Sequence, residues 1–231
     1  MIQADEKPAL LLPTLFTAVA LVVLVSLGAW QWQRMHWKQD IVAKLAEAGQ
    51  QPPRDLASID LERLPPGEAG RFIGAKATGR FLHDQEVYVF WTRGNQPGYL
   101  VLTPLQPRTG TAILVNRGFV PERLRRPSAR PQGQVAGEVT VEGLLVRARP
   151  ATSIFTPEPD VAGRIWYHLA PAEMAASLDL KVVPTHTLAA GETSNPGGWP
   201  QGRSAQSWIS DIPNRHFEYA LTWWGLALTL L

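Results

Sequence analysis

A chain of 231 residues, 45% apolar and 18% charged, has room for one ordinary domain plus membrane segments and is too apolar to be disordered. Its net charge of +2, with no basic block interleaved with aromatics, argues against a nucleic-acid partner. The absence of cysteine excludes disulfides, thiolate metal sites, iron–sulfur clusters and cysteine nucleophiles, and only three methionines argue against a soft copper(I) site.

Between Lys7 and Arg34 the chain carries no charge, and 8–33 is predicted to be a first transmembrane helix. Such a run reaches roughly 39 Å at about 1.5 Å per residue, enough to cross a bilayer core of about 30 Å with tilt. Pro8 and Pro13 fall in its first turns, where a missing N–H is absorbed. Trp30, Trp32 and Trp37 form an aromatic belt at its far end, with Arg34 and Lys38 beyond. Ala18-Val19-Ala20 resembles a signal-peptide cleavage site, but the apolar run continues well past it, which favours an anchor. Residues 34–70 read as a juxtamembrane helix over 35–49, with Ile41, Leu45 and Ala48 at helical spacing, and then a linker. Gln51-Pro52-Pro53 and Pro65-Pro66-Gly67 punctuate that linker.

From 71 to 190 the pattern changes to short alternating runs bounded by Gly and Pro, predicted as strands over 72–81, 86–91, 99–105, 112–120, 138–147 and 164–170. Residues 181–188 form a further candidate, assigned to an edge because Pro184 interrupts it. Only 171–180 looks helical, with Pro171 at the first turn and Glu173 favourable to the helix dipole. The expected fold class is therefore a membrane protein of α+β type, with an antiparallel β-rich domain (sheet, sandwich or barrel) outside the membrane. With no βαβ repeat and no glycine-rich phosphate loop, a nucleotide enzyme is disfavoured. His83, His168 and His186 are scattered without metal-ligand spacing, and no G-x-S-x-G elbow occurs, so no catalytic residue and no enzyme is expected. Arg125-Arg126 reads as a solvated loop. Arg117, inside a buried-looking strand, needs a carboxylate, carbonyls or an anionic ligand for its five donors, and a structural pair is the favoured partner.

After a loop over 191–213, which contains Thr193-Ser194-Asn195-Pro196-Gly197-Gly198, residues 214–231 read as the start of a second transmembrane helix. On such a helix His216, Tyr219, Ala220 and Trp223 share one face. The uncharged run 219–231 reaches only about 20 Å, so the sequence is expected to stop inside that helix; the alternative is a short re-entrant or interfacial anchor. A histidine at such a mouth either binds a metal or haem, or marks the interface.

Three groups of residues carry a resemblance. Leu27-Gly28-Ala29-Trp30-Gln31-Trp32-Gln33-Arg34-Met35-His36-Trp37-Lys38 is similar to the first-segment signature of the Surfeit locus protein family, the cytochrome c oxidase assembly factors. In the middle, Gly98-Tyr99-Leu100-Val101-Leu102-Thr103-Pro104-Leu105 and Leu114-Val115-Asn116-Arg117-Gly118-Phe119-Val120-Pro121 agree with it. The closing Asn214-Arg215-His216-Phe217-Glu218-Tyr219-Ala220-Leu221-Thr222-Trp223-Trp224 resembles the family's last block. Phe119 stands where tryptophan is usual and Arg215 where asparagine is usual.

The resemblance implies a non-catalytic assembly factor for haem–copper oxidase that aids entry of haem a into the large subunit or its stabilisation there. It gives His216 as the candidate axial ligand, and Tyr219 and Trp223 are placed to flank a macrocycle. Trp30, Arg34 and Arg117 are assigned partner or structural roles. The implied cofactor is haem a, held transiently. The implied partners are the oxidase large subunit, haem a synthase and membrane lipid. A scaffold that binds the oxidase subunit without ligating haem is the competing reading, and a membrane-anchored hydrolase is the weakest. The family places both termini in the cytoplasm and the β domain in the periplasm of a bacterial inner membrane. Charge points the other way, since Arg34, Lys38 and Lys44 follow the first segment and only Lys7 precedes it. The periplasmic orientation is retained because long domains translocate largely regardless of flanking charge.

Overall fold

The computed structural model describes residues 10–65, 72–148, 153, 155–192 and 198–231. Pro66, Gly67, Arg71 and the loop 193–197 lie outside the described residues. The chain divides into two compact units, one made of 1–43 with 212–231 and the other of 44–211.

The long N-terminal helix α1 (Leu11–Gln50) has 40 residues, about 60 Å at about 1.5 Å each. It is a single helix where two were expected, because nothing between Gln33 and Met35 breaks it: the nearest prolines are Pro13 and Pro52. Its apolar portion is long enough to cross a membrane and is almost wholly exposed, with Leu11, Phe16 and Val22 each more than 60% exposed. In the same unit, helix α4 (His216–Thr229) has 14 residues.

The second unit is built on one eight-stranded sheet. Its strands are β1 (Arg54–Asp55), β2 (Phe72–Phe81), β3 (Val87–Arg93), β4 (Gln96–Gln106), β5 (Ala112–Pro121), β6 (Glu138–Arg147), β7 (Ile165–Trp166) and β8 (Val182–Ala190). They lie in the order β1-β2-β6-β8-β5-β4-β3-β7, and β2 also pairs with β4 through Arg80–Gln106 and Phe81–Leu105. That extra pairing closes β2, β6, β8, β5 and β4 into a ring. Alternation sends Ala75, Ala77, Leu105, Ile113, Val115, Val141, Leu145 and Leu188 into the core within it. The opposite set, including Val87, Val89, Leu102 and Leu114, packs on Trp166 and on Met174 and Ala175 of helix α2 (Pro171–Ser177). With both faces covered, every residue of β5 is buried.

Three expectations are corrected. The sheet is mixed, not antiparallel: β1 runs parallel to β2, β7 to β3 and β8 to β5. Alternation reports which face a residue takes and is blind to strand direction. Residues 182–190 form an interior strand between β6 and β5. Pro184 is tolerated there because the β5–β8 register jumps from Ala112–Val182 to Leu114–Thr187, so its missing N–H falls in the irregular stretch. The run 164–170 supplies only the two residues of β7, since Pro171 already opens α2. A third short helix, α3 (Ala205–Ser210), is capped by Ser204, whose hydroxyl accepts from the Ser207 N–H.

Candidate functional site

The contacts of α4 on α1 define one site. Gln31 meets His216, Lys38 donates to the Pro213 carbonyl at 2.5 Å, and Gly28 faces the Trp224 indole. Numbers fall along α1 as they rise along α4, so the two helices are antiparallel. Small residues permit the close approach. Ala220 and Ala227 are buried on α4, and a side chain on Gly28 would occupy the space of the Trp224 ring. Trp32 adds ring contacts to Phe217, with centroids 6.3 Å apart, and to Trp224 at 5.9 Å.

His216 is the first residue of α4 and is half-buried. Its Nδ1 lies 2.6 Å from Oε1 of Gln31. With the amide oxygen as acceptor, Nδ1 carries the proton and the lone pair resides on Nε2, the form in which imidazole ligates metals. Tyr219, by contrast, is 51% exposed, and Trp223 is half-buried on the following turn. Trp30 is exposed, and the Arg34 guanidinium lies 3.8 Å from the Trp37 ring centroid, a cation–aromatic contact at the end of the apolar run. Ahead of the histidine, Arg215 pairs with Glu218 at 2.9 Å on the exposed first turn of α4.

Arg117 belongs to a different arrangement, wholly within the β unit. It is fully buried on β5, donates to Glu86 Oε1 at 3.5 Å and to the Gly133 carbonyl, and lies 4.7 Å from the Phe81 ring. Glu86 also binds Arg130 through both carboxylate oxygens, and accepts from Tyr88 and Thr103 hydroxyls at 3.3 Å and from Gln134 at 3.4 Å. Arg130 also donates to the Leu124 and Arg125 carbonyls. Burial alone would raise the Glu86 pKa, but His83, with Nδ1 3.7 Å from Oε1, and the two guanidinium groups outweigh it and hold it at about 2. Burial pushes Arg117 down to about 10 against the pull of Glu86, so it stays charged at neutral pH. Tyr88 is pushed up to about 12, by burial first and then by the neighbouring carboxylate. The cluster fastens the 122–134 loop to β5 and to the turn before β3.

Sequence reasoning singled out Arg117 but missed Glu86 and Arg130. Glu86 read only as the first residue of a strand, and Arg130 sits in an unremarkable Ser-Ala-Arg-Pro loop. Gln31 was also missed: a glutamine in an apolar run is a polar group that needs a partner, and that is the signal that points to it. Arg125, read as solvated, is half-buried with its guanidinium 5.2 Å from the Tyr99 ring. Among the described residues no group of three His, Asp or Glu side chains converges as a metal site.

Known proteins resemble this chain over most of its length. The SURF1 family matches residues 18–228. A SURF1-like protein of Monosiga brevicollis is 35% identical over 229 residues, covering 90% of this chain and 81% of that protein. Surfeit locus protein 1 of Homo sapiens is 29% identical over 225 residues, 89% of this chain and 71% of its own length. A SURF1-like protein of the bacterium Rickettsia felis is 27% identical over 224 residues, 94% of this chain and 92% of its own.

Proposed function

The chain belongs to the SURF1 family, and from that premise we propose that it is a membrane-anchored assembly factor for haem–copper cytochrome c oxidase. Its task is to aid entry of haem a into the large subunit, or its stabilisation there, by holding haem a transiently at His216. The observation that carries this reading is the Gln31–His216 hydrogen bond of 2.6 Å. A partner on Nδ1 fixes the tautomer and aims Nε2, as outer-shell partners of metal-bound histidines do. Aromatic side chains close by, Trp32, Phe217 and Trp224, supply the apolar, flat-sided surroundings that suit a macrocycle as cargo. Tyr219 and Trp223 would extend them.

In this reading α1 crosses the membrane and α4 begins a second membrane segment. The antiparallel packing of the pair supports that placement, as do the exposed apolar side chains of α4: Leu221, Leu226 and Leu228. The β unit lies on the periplasmic side of a bacterial inner membrane, with Trp30, Arg34 and Trp37 at the interface. Neither unit is assigned a catalytic step.

Co-expression with haem a synthesis, followed by an absorption spectrum of the purified full-length chain, tests the ligand role. A haem a spectrum is expected for the natural chain and its loss for His216→Ala. A haem-free natural chain, or equal haem in the variant, removes the role. Unchanged oxidase activity and haem a content after deletion would refute the assembly reading itself. The exposed apolar face of the helix pair favours a second reading, a scaffold that grips the oxidase subunit without haem. Normal oxidase assembly by His216→Ala would select it.

A further inference from the structure

The β unit carries a cleft of about 450 Å³ whose walls include Trp91, Leu100, Phe119 and Trp208. It lies where the second core runs out. Val87 and Val89 on β3 continue in the same alternation to Trp91, and Leu114 on β5 continues to Asn116. Trp91 is 49% exposed, while Asn116 is only 5% exposed. The Trp208 indole nitrogen is buried without a hydrogen-bond partner among the described residues.

Charge selects the class of ligand. The lining holds two cations, Arg93 and Arg203, and one anion, Asp211; Asp211 and, just outside the lining, Glu192 both act on Arg203, so Arg93 is the guanidinium with no carboxylate hydrogen-bonded to it among the described residues. Asp211 is bound to Arg203 at 2.7 Å, and Arg203 also donates to the Ser207 carbonyl. Arg93 spends one donor on the neutral Gln201 amide oxygen. Both guanidinium groups lie over rings, Arg93 at 4.8 Å from the Phe119 centroid and Arg203 at 5.0 Å from that of Trp208. A guanidinium held over a ring keeps its N–H edge available for a carboxylate. At roughly 30 Å³ per water-sized atom, 450 Å³ admits about fifteen non-hydrogen atoms.

We propose that this cleft binds a flat apolar monocarboxylate of about that size, its carboxylate on Arg93 and its body against Trp91, Leu100 and Trp208. This site is separate from His216 and does not rest on haem a binding.

Naphthoate is the probe, titrated calorimetrically into the full chain in lipid nanodiscs. Saturable binding at one site per chain is expected, with naphthylmethanol, which lacks the charge, at least about tenfold weaker. Arg93→Ala is expected to weaken naphthoate at least about tenfold, Arg93→Lys less, and the distant Arg108→Ala not at all. Thermal melts of the variants report that each is folded. No saturable binding, equal binding of acid and alcohol, or an unaltered Arg93→Ala overturns the proposal. Tighter binding of a tryptophan-containing peptide with a free C-terminal carboxylate would reassign the cleft to a protein tail, and so overturn it too.

Discussion

The two polar arrangements at Glu86 and His216 differ in completeness. Around Glu86, two arginines, a histidine, a tyrosine, a threonine and a glutamine converge on one carboxylate that is 2% exposed. At His216 a single amide fixes one ring nitrogen and leaves the other. A buried charge with a filled shell can hold a loop in place and has no valence left for a ligand. A half-buried imidazole with one oriented nitrogen has the opposite character: it adds little to stability and keeps a lone pair for chemistry. Completeness of the shell, more than the type of residue, separates the structural group from the candidate ligand.

The largest test of that contrast is Glu86→Ala, which leaves Arg117 and Arg130 buried without their carboxylate. It is expected to cost about 3–5 kcal/mol, read as a lowered unfolding midpoint in urea by near-ultraviolet circular dichroism. A cost under about 1 kcal/mol would put the cluster in the class of surface pairs and break the comparison. Titration with acid comes next. Glu86 is held at about 2 in the folded chain against 4.5 without its partners. Because the folded value is the lower one, the unfolded chain binds the extra proton between these values, and stability falls as pH drops from about 4.5 to about 2. The loss is about 3 kcal/mol for that shift, and the Glu86→Gln variant should show a flatter acid limb.

At the other site, Gln31→Leu should leave the unfolding midpoint of the β unit unchanged while weakening haem a binding by roughly ten- to a hundredfold. Absorption titration against the natural chain measures it. Equal affinity would mean that Gln31 does not orient the imidazole. The smallest effect belongs to the exposed surface pair Arg108–Glu138, whose two hydrogen bonds are each 2.7 Å. Arg108→Ala is expected to leave the midpoint where it is, because water screens what geometry favours.

What was legible in the sequence was local. The uncharged run marked α1, alternation located β2 and β6, an apolar run between Gly110 and Pro121 located β5, and Pro171 marked the start of α2. Pairings that join distant residues were not legible. Glu86 and Arg130 are 44 positions apart, and nothing in either neighbourhood names the other. The parallel join of β8 to β5 depends on how the chain returns after β6 and α2, which period-two alternation does not encode. His216 could be singled out because it is the one histidine of the stretch 191–231, but its partner Gln31 lay 185 positions earlier and was read only as part of a signature.

That separation of 185 positions also sets a schedule for synthesis. At roughly 5–20 residues per second, α1 waits on the order of ten to forty seconds before α4 leaves the ribosome. Throughout that interval the notch at Gly28 and the amide of Gln31 have no α4 to close on them. A newborn α1 is thus an open half-clasp, obliged to lodge its amide against water, lipid headgroups or another helix until its own C-terminal half arrives.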